Sequence, residues 1–169
     1  MKSGKTMGWN KQIIQAFVVI VLQVLLFNHL QIAGFGFPMV YVLILMNLPV
    51  HIPRWAEMLI GLCVGLMIDV WHSSLGIHIA ACVALSFVRP LLLSKAVQDI
   101  ERIKDNISIQ TIGRIEYTKC AVILTVLHHF IVFSLETWNI QFWWIVLLQT
   151  LVSSIMTLCI ILGYEYLRR

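Results

Sequence analysis

The chain has 169 residues, of which 60% are hydrophobic and 12% charged, and its mean hydropathy is +0.89. Soluble domains carry roughly 25% charged residues and could not bury this much apolar surface at this size, so the composition indicates a single-domain integral membrane protein. The formal net charge of +4 does not indicate nucleic-acid binding, because the basic residues lie in separate short connections and form no patch.

Apolar stretches predict an all-α polytopic membrane protein with six transmembrane helices. They lie at about 11–29, 37–50, 56–71, 75–93, 117–136 and 142–163. Lys2, Lys5 and Lys11 precede the apolar run from Ile13 to Phe27 in this stretch, as lysines would in a signal peptide. That stretch is long, however, and no small-residue cleavage site follows it, so we expect an uncleaved first span.

The second stretch is the shortest, and Pro38 and Pro49 bracket it. As a helix it would cover only about 20 Å of a hydrocarbon core that is ~30 Å thick. It is therefore either broken or extended into residues 28–37 or 51–52. We count it as a crossing because the distribution of charge requires one there. Asn47, within it, is expected to form a helix-terminal or interhelical hydrogen bond.

With six crossings, all 12 Lys and Arg residues fall on one side of the membrane. They are Lys2, Lys5, Lys11, Arg54, Arg89, Lys95, Arg102, Lys104, Arg114, Lys119, Arg168 and Arg169. The alternate connections, near 29–37, 71–75 and 136–141, carry none, and Trp and Tyr residues fall at both predicted interfaces. The positive-inside rule then places both termini in the cytoplasm, with a single domain spanning 1–169.

The connection 94–116 is the only sizeable polar segment, and it mixes charges of both signs. It has two interpretations: a solvated cytoplasmic helix or loop, or a docking surface for a cytosolic partner.

The stretch from Gly61 to His78 predicts a helical hairpin. Gly61 and Gly65 lie four residues apart, and Asp69 continues the same row. Small residues at this spacing allow close approach of a second helix in a membrane, and a carboxylate on the same stripe should face protein or water. The packing face is thus predicted to carry a single acid. Asp69 is expected either to order the outer turn or to join helices through a hydrogen bond to His72 or His78.

The fourth span carries its own small-residue row, Gly76, Ala80 and Ala84. The two rows predict close packing of spans three and four, with His78 and Cys82 on a different face. Arg89, followed by Pro90, lies about 20 Å inward of Asp69, too far for an ion pair between them. We expect Arg89 to reach the cytoplasmic headgroups, or to meet Glu57 or a partner.

Sets of residues that could support catalysis or hold a cofactor are not evident. His128 and His129 point about 100° apart on a helix, which suits a single metal ion poorly, and no third ligand is placed nearby. The four cysteines fall singly in apolar segments. An aspartyl mechanism needs a second carboxylate, and no apolar span supplies one at the depth of Asp69. We therefore expect a protein that is not an enzyme and binds neither metal nor cofactor.

The order of these motifs resembles the MreD family, the rod shape-determining membrane proteins of bacteria. The likeness is strongest from Phe27 to Leu93. It includes Pro38, Leu48-Pro49, the GLxxGLMID run ending in Asp69, Leu75-Gly76-Ile77-His78 and Phe87-Val88-Arg89-Pro90. From Ser94 onward the chain matches only in length and hydropathy.

This resemblance implies a non-enzymatic scaffold of the cell-elongation complex in the bacterial inner membrane. Its implied partners are MreC and, directly or through MreC, RodA and a class B penicillin-binding transpeptidase; contact with the MreB cytoskeleton is left open. It also implies a six-helix fold similar to the substrate-binding subunits of energy-coupling-factor vitamin transporters. Asp69, Gly76, His78, Arg89 and Pro90 are the positions that the resemblance marks for testing.

The alternative function is a substrate-binding subunit of a vitamin transporter, in which Asp69, His72 and His78 would line an outward pocket. Such subunits dock their coupling partner through an Ala-x-x-x-Ala row. The first span departs from that pattern, because Ile20 stands four residues after Ala16.

Overall fold

The computed structural model describes residues 9–27, 30, 36–97, 100, 103, 106–138 and 140–168. Across these residues the protein is mainly helical, and an isolated bridge joins Pro49 and Asn106. The helices are α1 (Trp9–Leu25), α2 (Val42–Met46), α3 (Arg54–His72), α4 (Ile77–Ala96), α5 (Ile109–Ile112), α6 (Arg114–Thr137) and α7 (Trp143–Leu167), with a 3₁₀ turn at Ile140–Phe142. Four of them, α3, α4, α6 and α7, are long and apolar enough to cross a membrane, and α1 is a shorter apolar helix.

Helix α4 lies at the centre of the packing: α3 covers one side of it, α6 covers another, and α7 packs on α6. Each long helix buries one face and leaves large apolar side chains on the other. In α3, for example, Val64 and Ile68 are buried while Leu62, Leu66 and Met67 are exposed. A helix that is apolar on both faces is typical of a membrane span, where the outer face meets lipid.

The predicted second span is broken, as one of the two sequence interpretations allowed. Only Val42–Met46 is helical, and the approach to it from Gly36 is largely non-helical. Nearly all of this segment, residues 36–48, is buried among the other helices. Non-helical backbone is tolerated at membrane depth only where protein or water satisfies its polar groups.

Side chains from three helices supply those hydrogen bonds. The amide of Gln23 on α1 donates to the Pro38 carbonyl at 2.9 Å and accepts from the Val40 N–H at 2.7 Å. Thr157 on α7 accepts from the Met39 N–H at 3.0 Å. Arg89 on α4 donates to the carbonyls of Met46 and Leu48.

These contacts fix the direction of the segment. Gly36 lies against Ser153, Met39 against Thr157, and Asn47 against Glu165. The segment therefore runs in the same direction as α7 over twelve α7 residues, which is about 18 Å. It also runs with α4, since Tyr41 meets His78 while Met46 meets Arg89.

The connection 94–116 is shorter than predicted where it is described. Helix α4 continues to Ala96, and α6 begins at Arg114. Between them lies the single turn α5, whose N-cap Ser108 and Thr111 form a reciprocal capping box. The mixed-charge part at residues 98–99, 101–102 and 104–105 lies outside the described residues.

Candidate functional site

The α3 face toward α4 carries two acids, not the single one predicted. Glu57, Gly61, Gly65 and Asp69 follow one another at four-residue intervals, and all four are buried. The two glycines occupy the middle of the row and a carboxylate ends it on each side. The sequence signal for Glu57 was present, because it stands four residues before Gly61.

The glycines allow the backbones of α3 and α4 to touch, which confirms the predicted pairing of spans three and four. A Cβ on Gly61 would lie 2.9 Å from the carbonyl oxygen of Cys82 and would also collide with Ser86. A Cβ on Gly65 would lie 2.7 Å from the Ile79 nitrogen. Real side chains essentially never come this close, so only glycine fits both positions without movement of α4.

The prediction that α4 packs on α3 through the row Gly76, Ala80 and Ala84 is wrong. Gly61 and Gly65 face Cys82, Ser86 and the backbone around Ile79, whereas Ala80 is exposed and Ala84 only partly buried. Cys82 and Ser86 are also small and four residues apart, so they permit the same close approach. Periodicity alone could not choose between these two faces of α4.

Gly76 has a conformational role at the N-cap of α4, and it does not pack against α3. Its φ is +87°, in the left-handed region, and a Cβ there would meet nothing within 4 Å. A side chain at this position would have space but would strain the backbone. The hairpin turn thus selects the glycine.

Asp69 joins the two helices of the hairpin through its carboxylate. One oxygen accepts from the His78 N–H at 3.1 Å, the other accepts from the Ile79 N–H at 2.8 Å, and the Ser74 hydroxyl donates to the first. These two N–H groups belong to the first turn of α4, where backbone N–H groups have no acceptor within their own helix. The predicted bond to His78 is therefore present, through the main chain. The negative charge of this carboxylate is also stabilised by the positive N-terminal end of the α4 dipole.

Arg89 meets Glu57, one of the alternatives offered by the sequence, and does not reach the headgroups. The Arg89 Nη1 lies 2.7 Å from the Glu57 Oε1, and the two side chains are each 2% exposed. With its bonds to Met46 and Leu48, the guanidinium links α4, α3 and the 36–48 segment. Pro90 follows it inside α4 and has no N–H for the Ser86 carbonyl.

Sequence reasoning missed a buried polar cluster that spans three elements beside the hairpin. The Tyr41 hydroxyl lies 2.7 Å from the His78 Nδ1, and the Tyr41 ring packs edge-on against His128. His72, which is exposed, stacks at a tilt on His78 with ring centroids 5.2 Å apart. The predicted outward cluster thus separates: Asp69 and His78 are used inside the fold, and only His72 faces out.

His129 is bonded in a way that fixes its proton. Its Nδ1 lies 2.8 Å from the Thr125 carbonyl, which can only accept, so Nδ1 carries the hydrogen. In the neutral ring Nε2 must then accept, and the Thr157 hydroxyl 3.2 Å away donates to it. Because the Thr157 oxygen also accepts from Met39, one directed chain runs from the 36–48 segment through α7 to α6.

A second polar group lies at the opposite end of the 36–48 segment. Asn47 donates to Glu165 at 2.8 Å and accepts from the Tyr117 hydroxyl at 3.1 Å, which confirms the interhelical bonding expected of it. Arg168 donates to the same Glu165 oxygen at 3.3 Å. The segment is therefore held at both ends.

Across the described residues, no group of three or more His, Cys, Asp or Glu side chains is arranged to hold a metal ion. The Nε2 of His128 lies 3.9 Å from the Cys82 Sγ, and its Nδ1 has no hydrogen-bond partner among these residues. The polar side chains of this interior that form hydrogen bonds bind one another or the backbone. Their evident capacity is to hold helices in register.

Comparisons of the chain with protein-family models, curated proteins and solved structures gave no match. The resemblance to the MreD family, the six crossings and the likeness to vitamin-transporter subunits therefore stay predictions from the sequence.

Proposed function

We propose that this chain is a six-pass, non-enzymatic scaffold of the bacterial inner membrane that acts by lateral contact, in the manner expected of an MreD-like protein. One observation carries the proposal. The buried charged side chains of the described residues, Glu57, Asp69, Arg89 and Glu165, bond within the fold, while every long helix presents large apolar side chains outward. Such a protein offers partners its lipid-facing surface.

Two further passes would join the four long helices. Helix α1 runs opposite to the 36–48 segment, because Gln23 binds its start at Pro38 and Gln12 binds Asn106, which bridges Pro49 at its end. The segment covers about 18 Å along α7, so a full crossing of a ~30 Å core would also need residues that adjoin it. The six passes would then alternate in direction.

Charge supports one orientation of such a bundle. The described Lys and Arg side chains outside the core gather at one end: Lys11, Arg54, Lys95, Arg114, Lys119 and Arg168. The other end carries Trp71, Trp138, Trp143 and Trp144 and no Lys or Arg among the described residues. By the positive-inside rule the cationic end and both termini face the cytoplasm.

Labelling in intact cells tests this topology. Cysteines introduced at Ser73 in the α3–α4 turn and at Arg114, the first residue of α6, should react with an impermeant maleimide in opposite ways: Ser73→Cys from outside, Arg114→Cys only after lysis. Labelling of Arg114→Cys from outside would overturn the six-pass arrangement.

In this proposal the partners are MreC and, directly or through it, the RodA–transpeptidase pair. The corresponding experiment is photo-crosslinking in cells from lipid-facing positions on each helix, with buried positions on the same helices as controls. Suitable exposed positions are Phe17, Leu62, Phe87, Val126 and Leu151, and suitable buried ones are Val19, Ile68, Leu85, Leu124 and Ile161.

We expect crosslinks to MreC from one contiguous face and none from the buried set. A function in elongation further requires that exposed-face variants that lose the crosslink also round the cells, while they accumulate and fold normally. Crosslinks to no protein from any face would contradict a scaffold role, as would normal rod shape after every crosslink is lost.

A further inference from the structure

A mostly apolar cavity of about 240 Å³ lies between α1, the α2 segment and α3. Its walls include Ile13 and Ala16 from α1, Ile44 from α2 and Ile60 from α3, and its polar side includes Gln12 and Asn106. The cavity lies near the cationic end of the bundle, since Asn47 and Asn106 belong to that end.

The cavity reaches the outer surface of the bundle through α1. Ile13, one of its walls, is 63% exposed, and the neighbouring outward side chains Ile14 and Phe17 are also exposed and apolar. In a membrane such a surface meets lipid chains. The opening is therefore accessible from the hydrocarbon.

The polar side of the cavity contains an unmet donor. Asn106 is buried, its Oδ1 accepts from the Gln12 Nε2 at 2.8 Å, and its Nδ2 has no hydrogen-bond partner among the residues that the structure describes. A buried donor without a partner costs stability, so such a group indicates a ligand oxygen or an ordered water. Asn47, the neighbouring amide, is by contrast bonded to Glu165 and Tyr117.

Charge near the cavity favours an anion. Lys11 directly precedes Gln12, and Arg54 begins α3 six residues before Ile60. Among the described residues, the acids at this end are engaged elsewhere: Glu57 with Arg89, Glu116 with Lys119 and Glu165 with Arg168.

We propose that this cavity binds one acyl chain of an anionic phospholipid from the surrounding bilayer, with a headgroup or ester oxygen accepting from the Asn106 amide. At about 240 Å³ the space equals roughly eight water molecules of ~30 Å³, enough for part of a flexible chain. A partner helix, about 10 Å across with its side chains, does not fit. The site does not depend on the scaffold function and would be present if that function proved wrong.

Native mass spectrometry of the delipidated full chain in detergent tests this site, with phosphatidylglycerol and phosphatidylcholine as the two probes. We expect one phosphatidylglycerol to bind in preference to phosphatidylcholine, by about five-fold for each cation engaged. Ala16→Trp fills the cavity and should reduce binding to the non-specific level. Ala80→Trp adds the same side chain to an exposed alanine of α4 and should leave binding unchanged.

Asn106→Asp provides a second variant in case Ala16→Trp fails to fold. It keeps the acceptor for Gln12 but replaces the free donor with a carboxylate oxygen, so the preference for phosphatidylglycerol should disappear. Equal binding of the two lipids by the unmodified chain would overturn the proposal. An unchanged preference for phosphatidylglycerol in Asn106→Asp would also overturn it. A third contradicting result would be that Ala16→Trp removes a co-purifying protein and leaves lipid binding unchanged.

Discussion

Arg89 and Glu57 form an ion pair between neighbouring helices, 2.7 Å apart and almost completely buried. The same guanidinium donates to two carbonyls of the 36–48 segment, so a single side chain joins three elements at one depth. Burying two charges is costly, and the geometry offsets that cost only while every donor keeps its acceptor.

Removing the charge of Glu57 should therefore destabilise the bundle strongly. Glu57→Gln leaves a buried guanidinium without a counter-charge, and we expect a loss of about 3–5 kcal/mol in the free energy of unfolding. The measurement is an unfolding titration with sodium dodecyl sulfate in mixed micelles. Glu116→Gln is the control: its partner Lys119 is largely exposed, so the expected loss is only about 0–1 kcal/mol. Similar losses in the two variants would show that the buried pair has no special role.

The sequence predicted the parts of this fold that depend on helical periodicity. The row Gly61, Gly65, Asp69 and the hairpin that follows it could be found because residues four apart must share a helix face. The helical rise per residue likewise predicted a large distance between Asp69 and Arg89, and this distance correctly excluded an ion pair between them.

What the sequence left undetermined depends on rotation and on backbone that is not helical. The face of α4 toward α3 is set by the bonds of Asp69 to the His78 and Ile79 N–H groups, which hydropathy does not encode. Likewise, an apolar run does not distinguish a buried helix from a buried extended chain. The role of Gln23 in bonding the extended chain at Pro38 was therefore not predictable.

The close approach of α3 and α4 predicts opposite outcomes for two glycines. Gly65→Ala places a Cβ against the α4 backbone and should cost about 1–3 kcal/mol, because one helix must shift. Gly163→Ala, inside α7 with nothing within 4 Å, should instead stabilise the protein by up to about 1 kcal/mol through helix propensity. The same detergent titration measures both. A stabilising Gly65→Ala would mean that the two backbones are not in contact.

The cap formed by Asp69 predicts a graded response. Asp69→Ala leaves the His78 and Ile79 N–H groups without their acceptor and should cost about 0.5–2 kcal/mol, the usual loss for an N-terminal cap. Asp69→Asn keeps one oxygen and should cost less. Hydrogen exchange at the His78 and Ile79 amides should accelerate in the same order. Equal exchange rates in the two variants would show that the Asp69 carboxylate does not cap the His78 and Ile79 N–H groups.

The chain from Met39 through Thr157 to His129 predicts that two buried threonines of one helix respond differently to the same substitution. Thr157→Val keeps the shape of the side chain but removes the oxygen that accepts from the Met39 N–H and donates to His129, so we expect a loss of about 1–3 kcal/mol. Thr150 lies two turns away on α7, and its buried hydroxyl has no hydrogen-bond partner in the described part of the chain. Thr150→Val should therefore be neutral or stabilising, because it removes a desolvated group that forms no bond.

Hydrogen exchange tests whether the loss comes from the bond to Met39. The Met39 amide should exchange faster in Thr157→Val than in the unmodified chain, and at an unchanged rate in Thr150→Val. If both variants lose equal stability and Met39 exchanges alike in both, the hydroxyl of Thr157 does not hold the 36–48 segment.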